Sequence, residues 1–158
     1  MKIRLLVRKD KAGLLSLLIK TKAFTSREID VAMELIDIVL KDKKQKDYTI
    51  YCSVNDQDKP VGYICYGLSP MTEGTFDLYW IAVDPGSQGQ GVGSSLIGSL
   101  EEKVGEMKGR MILAETSSIS EYEKTLRFYA HRGFKEVARI PDYYHTGNDR
   151  ITFCKRLA

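Results

Sequence analysis

Cysteine and histidine are scarce in this chain: of 158 residues, three are cysteines and two are histidines. Cys52, Cys65 and Cys154 each stand alone inside an apolar run, with no C-x-x-C pair and no neighbouring histidine. That spacing excludes the common zinc frameworks, and no metal is expected. An odd count without a leader segment is expected of reduced, buried thiols in the cytosol. Long hydrophobic runs are lacking too. Nothing approaches the ~20 apolar residues that cross a bilayer, and no basic-then-apolar leader precedes the domain, so no membrane partner and a cytoplasmic location are expected. Charge of one sign is the third absence. Twenty-four Lys and Arg against 21 Asp and Glu leave a net charge of +3, with both signs interspersed along the chain. A nucleic-acid binder concentrates its basic residues on one face, with a domain pI above about 9, so no nucleic-acid partner is expected. The dense cluster Lys41 to Asp47 is mixed in sign and reads as a solvated loop.

What is present suits one globular domain over residues 1–158. With 43% hydrophobic and 28% charged residues, a chain of this length buries roughly 70% of its unfolded surface around one core. Alternation predicts a strand over Lys2 to Arg8, with Ile3, Leu5 and Val7 on one side. Asp10 is expected to cap a helix over Lys11 to Thr21. Thr25 and Glu28 form a capping box ahead of a second helix carrying Ile29, Met33, Ile36 and Leu40. Tyr48 to Val54 and Val61 to Gly67 read as a hairpin across the polar turn Asn55 to Pro60. Met111 to Ala114 is a short strand closed by Glu115 to Ser118. A helix follows over Glu121 to His131, stopped by Gly133. Phe134 to Ile140 and Arg150 to Leu157 are the last strands, joined by a loop over Pro141 to Asp149.

The most informative stretch runs from Leu78 to Leu100. Leu78 to Val83 is an unbroken apolar and aromatic run, expected as a strand buried on both faces. Asp84 and Pro85 stop it. Four glycines follow within the eight residues Gly86 to Gly93, and then Val92, Leu96 and Leu100 recur every four residues toward a helix ending near Gly109. A strand, a glycine loop and a helix start together form an anion receptor made of main chain: first-turn N–H groups lack partners, and the helix dipole adds about half a positive charge. The loop lacks the Lys-Ser or Lys-Thr of a P-loop. Its glycines are spaced Gly89-x-Gly91-x-Gly93, unlike a dinucleotide fingerprint.

Gln88, Gly91 and Gly93 instead fill a Gln-x-x-Gly-x-Gly pattern, in which the chain resembles the GNAT superfamily of N-acetyltransferases. A second motif, Phe128-Tyr129-Ala130-His131-Arg132-Gly133-Phe134, is similar to the Phe-Tyr-x-x-x-Gly-Phe of that family. The element order also agrees, so the resemblance covers nearly the whole chain. It implies a mixed α/β (α+β) fold with a mostly antiparallel twisted sheet of about seven strands, a splay between strands 4 and 5, and four helices. It implies acetyl-coenzyme A as cofactor, its pyrophosphate on Gln88, Gly89, Gln90, Gly91, Val92, Gly93 and Ser94. Its acetyl and pantetheine groups would lie along Ile81, Ala82 and Val83, with the Ile81 and Val83 N–H groups serving the oxyanion from a bulged strand. Tyr129 is implied as the acid that protonates the departing thiolate, a role a phenol with pKa near 10 can fill at neutral pH. Where the family often has asparagine and alanine against the pantetheine arm, this chain has Tyr122 and Thr125.

Glu115, expected at the end of the fifth strand, is the first candidate for general base, and Asp77 the second. His131 and His145 read as solvated. Selectivity for the acceptor is expected from Phe24 to Glu28, from Tyr79, and from Asp142, Tyr143 and Tyr144 in the last loop. Glu28 and Asp142 would suit a cationic amine. The function implied is transfer of acetyl to a primary amine of a small molecule or peptide by direct attack in a ternary complex, with a homodimer left open. A non-catalytic acyl-coenzyme A sensor on the same fold is the alternative.

Overall fold

The computed structural model describes residues 1–119 and 122–157. Among the described residues, seven strands and four α-helices follow one another: β1 Lys2–Leu5, α1 Asp10–Thr21, α2 Ser26–Lys41, β2 Thr49–Val54, β3 Pro60–Leu68, β4 Thr75–Val83, α3 Val92–Glu106, β5 Met111–Ser117, α4 Tyr122–His131, β6 Lys135–His145 and β7 Asn148–Arg156. The strands form one mixed sheet in the order β1-β2-β3-β4-β5-β7-β6. The pairs β1–β2, β2–β3, β5–β7 and β6–β7 are antiparallel and β4–β5 is parallel. Parallel pairing runs only from Thr75↔Met111 to Leu78↔Ala114, whereas β4 continues to Val83 and β5 to Ser117. The two strands thus splay after four residue pairs. Glu121, the expected start of the fourth helix, lies outside the described residues. No described helix is long and apolar enough to cross a membrane.

The chain divides into two compact units, Met1–Gly67 with Trp80–Glu102, and Leu68–Tyr79 with Lys103–Ala158. In the first, Leu14, Leu17 and Leu18 of α1 and Ala32, Ile36 and Leu40 of α2 bury one face each, at the spacing expected of amphipathic helices. Thr25 Oγ1 accepts the Glu28 N–H at 3.1 Å and Glu28 Oε1 accepts the Thr25 N–H at 3.0 Å, the reciprocal capping box expected from the sequence. Asp10 behaves otherwise than expected. It is the first residue of α1, with 0% exposure, and its carboxylate accepts a bidentate Arg4 guanidinium at 2.8 and 3.0 Å and the Val7 N–H at 2.9 Å. It is the buried counter-ion that ties β1 to α1. The first strand correspondingly stops at Leu5, because the chain turns to bury Leu6 and leaves Leu5 and Val7 exposed. All three thiols are buried and free; burial pushes those of Cys52 and Cys65 up to about 12.

In the second unit the stretch expected as a loop, Pro141 to Asp149, is the end of a hairpin. β6 reaches His145, β7 starts at Asn148, and Gly147 takes the turn at φ +86°. The Asp142 carboxylate accepts the Gly147 N–H at 2.7 Å while Asp149 accepts the Asp142 N–H at 3.0 Å. β6 is the sheet edge and every one of its residues is exposed. An edge strand needs no apolar alternation, so the second half of β6, from Pro141 to His145, reads as loop, while its first half falls in the strand expected over Phe134 to Ile140. β5 likewise outruns its expected end, since β7 supplies antiparallel partners to Glu115, Thr116 and Ser117.

Candidate active site

The loop after β4 is shaped by its own backbone bonds. Asp84 donates its N–H to Val61 O at 2.8 Å and accepts the Gly86 N–H on Oδ1 at 2.9 Å, which folds Pro85–Ser87 into one 3-10 turn. Gln88 Nε2 reaches back to Val83 O at 3.3 Å, and Gln90 Nε2 to Gly86 O at 3.2 Å. Gly89 and Gly91 then adopt φ of +76° and +80°, the left-handed region that penalises any side chain, and no atom lies within 4 Å of where their Cβ atoms would be. The Ser95 N–H to Gly91 O bond, at 2.9 Å, opens the ladder of α3. The N–H groups of Val92, Gly93 and Ser94 therefore have no acceptor within the helix. Their direction is fixed from below by Val92 and Leu96, which are buried. Gly62 allows this approach: a Cβ there would stand 2.8 Å from Val92 Cγ1 and 3.2 Å from Leu96 Cδ1. Main-chain donors, a helix dipole and open space without side chains fit the diphosphate of a nucleotide coenzyme.

β4 is not buried on both faces, as its composition led one to expect. Phe76, Leu78 and Ala82 are buried, while Tyr79 is exposed and Asp77, Ile81 and Val83 are half-buried on the alternate face. The apolar run has one face in the core and one that remains accessible.

Tyr129 lies near the C-terminus of α4, 6% exposed. The Phe134 N–H bonds to Tyr129 O and the Gly133 N–H to Ala130 O, both at 3.0 Å, with Gly133 at φ +83°. These are the paired bonds of a Schellman stop, and the Tyr129 and Phe134 rings make its apolar contact, with centroids 5.1 Å apart. Phe153 stacks on Tyr129 at 5.2 Å, and Phe128 meets it edge-on at 5.3 Å. The ring is clamped, and burial pushes its phenol up, so it holds its proton at neutral pH.

The two candidate bases share one face of the second unit's sheet. Asp77 pairs with Leu113, two residues before Glu115, so the two carboxylates project to the same side. Glu115 is exposed and closely ion-paired to Arg150, whose guanidinium lies 5.1 Å from the centre of the Tyr143 ring. Asp77 is half-buried. Desolvation and the nearby Glu115 raise its carboxyl above the ordinary range, against the opposing pull of a Ser69 hydrogen bond and of Arg150.

The other expected residues take varied places. The Tyr122 hydroxyl donates to Glu136 Oε1 at 2.8 Å and accepts from Arg139 Nη2 at 3.0 Å, with that guanidinium 5.4 Å from its ring centre. Thr125 is half-buried on α4. Phe24 packs edge-on against Trp80 at 5.1 Å. Glu28 uses one carboxylate oxygen in the α2 cap. Tyr143 and Tyr144 are exposed and meet edge-to-face at 4.9 Å. Gly62 and Arg150 escaped sequence reasoning. For Arg150 the signal was its two-residue offset from Thr152 in an alternating strand, legible only with the β5 register in hand.

A family model for the acetyltransferase (GNAT) domain matches residues 46–136. None of the curated proteins matches the chain. Among solved structures, a protein from Desulfovibrio desulfuricans assigned to the GNAT acetyltransferases is 38% identical over 99% of both chains, with a TM-score of 0.94. An aminoglycoside 6'-N-acetyltransferase in complex with coenzyme A shares the fold at 20% identity and a TM-score of 0.75, over 99% of this chain and 97% of that one. The ribosomal-protein-S18-alanine N-acetyltransferase of Escherichia coli does so at 18% identity and 0.76, over 99% and 94%. With a family model spanning more than half its length and a full-length relative of the same family, the chain belongs to the GNAT family of acetyltransferases.

Proposed function

We propose that this protein transfers acetyl from acetyl-coenzyme A to a primary amine of a small molecule or peptide, by direct attack within a ternary complex. The observation that carries this is the loop at Gly89 and Gly91: two left-handed glycines with nothing within 4 Å of a Cβ, leading into three N–H groups without an intrahelical acceptor at the start of α3. Bound there, the coenzyme supplies a thioester whose carbonyl carbon accepts an amine. Gln88 to Ser94 would hold its pyrophosphate through the main chain, and the backbone of Ile81, Ala82 and Val83, with the half-buried side chains of Ile81 and Val83, would align its acyl end. The N–H groups of Ile81 and Val83 are the donors assigned to the carbonyl oxygen.

The nitrogen must lose two protons and the sulfur gain one. A carboxylate of the second unit's sheet face, Asp77 or Glu115, takes the first from the incoming ammonium, directly or through water. Tyr129, clamped and protonated, donates to the sulfur as it departs, and the second nitrogen proton, lost as the amide forms, restores the phenol. Phe24, Glu28, Tyr79, Tyr143 and Tyr144 are assigned to the acceptor. Fold relatives named for aminoglycoside and ribosomal-protein-alanine acetylation support trying small-molecule and peptide amines alike. The test is thiol release from acetyl-coenzyme A against a panel of amino acids, polyamines, aminoglycosides and peptides, beside calorimetry with coenzyme A. Turnover with at least one amine is expected. Binding without turnover across the panel would favour the sensor, and absence of binding would end the coenzyme assignment.

A further inference from the structure

We propose that Arg150 is a positioning residue for acceptor deprotonation: by holding Glu115 as an ion pair, it leaves Asp77 as the carboxylate on that sheet face that takes the ammonium proton. The juxtaposition follows from register. Asp77↔Leu113 sets Asp77 and Glu115 on one face, and Glu115↔Thr152 with Ser117↔Arg150 puts Arg150 on that face too, one step diagonal to Glu115. Glu115 and Arg150 are in contact, and Arg150 is held from its other side by the Tyr143 ring at 5.1 Å. Arg150 Nε is buried without a partner, so the guanidinium turns its outer nitrogens to Glu115. Asp77 is left with a neutral donor, the Ser69 hydroxyl.

This division of labour has a chemical reason. The Glu115 carboxylate is already engaged by a guanidinium, so a proton arriving there would displace a charge-assisted hydrogen bond. The Asp77 carboxylate, half-buried on the same face, is held by a neutral hydroxyl instead. The groups that face Asp77 are Ser69 from the β3–β4 loop, Glu115 from β5 and Arg150 from β7, with Tyr143 of β6 behind Arg150. In the step itself one ammonium N–H bond breaks, its electron pair staying on nitrogen for attack, and one O–H bond forms on Asp77. The proton then passes to solvent, and no oxidant or reductant takes part.

Arg150's role presupposes the acetyl transfer proposed above, so it is tested first without turnover. The Asp77 side-chain carboxyl carbon is followed by NMR through a pH titration of the free protein, its resonance assigned by loss in Asp77→Asn. Arg150→Gln should raise the Asp77 midpoint, Glu115→Gln should lower it, the double variant should fall between them, and Arg150→Lys should track the parent. Glu115→Gln leaves the Arg150–Tyr143 stack in place, so it reads out even where Arg150→Gln fails to fold. An Asp77 midpoint indifferent to Glu115→Gln overturns the coupling. The acid limb of kcat/KM, measured on an accepted amine, should move in the same order, and Asp77→Asn should lose about 10²-fold. A limb that ignores these variants while the NMR midpoints move refutes Arg150's role and leaves the acetyl transfer standing; absence of turnover with every amine refutes the transfer instead.

Discussion

Replacing Tyr129 by phenylalanine removes one oxygen and nothing else from a ring held by three others. Centroid distances of 5.1 Å to Phe134, 5.2 Å to Phe153 and 5.3 Å to Phe128 all survive the change. A hydroxyl contributes about 0.5–1.5 kcal/mol net even when bonded, so the melting temperature should move by only a few degrees. Tyr129→Ala, which empties a site only 6% exposed, should instead destabilise by about 3–5 kcal/mol. Loss of a general acid slows turnover by about 10²- to 10⁴-fold, a rise of roughly 2.7–5.5 kcal/mol in the barrier. Burial raises this phenol above its ordinary value, so it stays protonated through neutral pH and should contribute no alkaline fall there. The assay is thiol release at saturating acetyl-coenzyme A, with coenzyme affinity measured separately by calorimetry. Turnover should fall at least 10²-fold while affinity stays within a factor of about two. Unchanged turnover would remove Tyr129 from the acid role, and loss of affinity in proportion to turnover would make it a binding residue.

Gly91→Glu should abolish coenzyme binding in calorimetry by charge and bulk; no protein atom lies within 4 Å of the new Cβ, so the cost to folding is limited to about 1–2 kcal/mol of backbone strain at φ +80°. Retained binding by the folded variant would disprove the loop assignment. Thr25→Ala removes one half of the α2 capping box and should lower stability by about 0.5–2 kcal/mol in denaturant unfolding. Arg4→Met leaves the fully buried Asp10 carboxylate without its guanidinium and should cost about 3–5 kcal/mol. Arg4 and Lys9 also hold the Asp58 carboxyl down at about 2. A depressed carboxyl stabilises above its unfolded pKa and loses that contribution as pH falls toward about 2. The parent's melting temperature should therefore drop more steeply on acidification than that of Arg4→Met.

Local signals were legible where chemistry acts over a few residues. Thr25 and Glu28 gave the α2 cap, and Gly133 gave the end of α4. Val92, Leu96 and Leu100 gave the buried face of α3, all three being buried. What depends on a partner strand was not legible. Leu78 to Val83 is uniformly apolar, yet only alternate residues are buried: Leu78 and Ala82 face the core, while Tyr79 is exposed and Ile81 and Val83 are half-buried. Asp142 and Asp149 look like loop residues until their cross-strand bonds are seen to close the hairpin. Asp10 has the composition of a cap, and only the fold brings Arg4 to it.

In the Phe-Tyr-x-x-x-Gly-Phe motif, the helix stop accounts for the packing of each named residue and leaves one atom to the proposed chemistry. Gly133 is required by φ +83°, Phe134 by its contact with Tyr129, and Phe128 by the ring edge it presents. A helix stop of this kind would keep all of them with phenylalanine at 129 as readily as with tyrosine. The Tyr129 oxygen takes no part in these ring and backbone contacts, and it is carried by a ring clamped among three phenylalanines, where burial raises its proton affinity. That oxygen is the atom the proposed acid role would use, and Tyr129→Phe, which removes it and leaves the helix stop intact, tests the role apart from the fold.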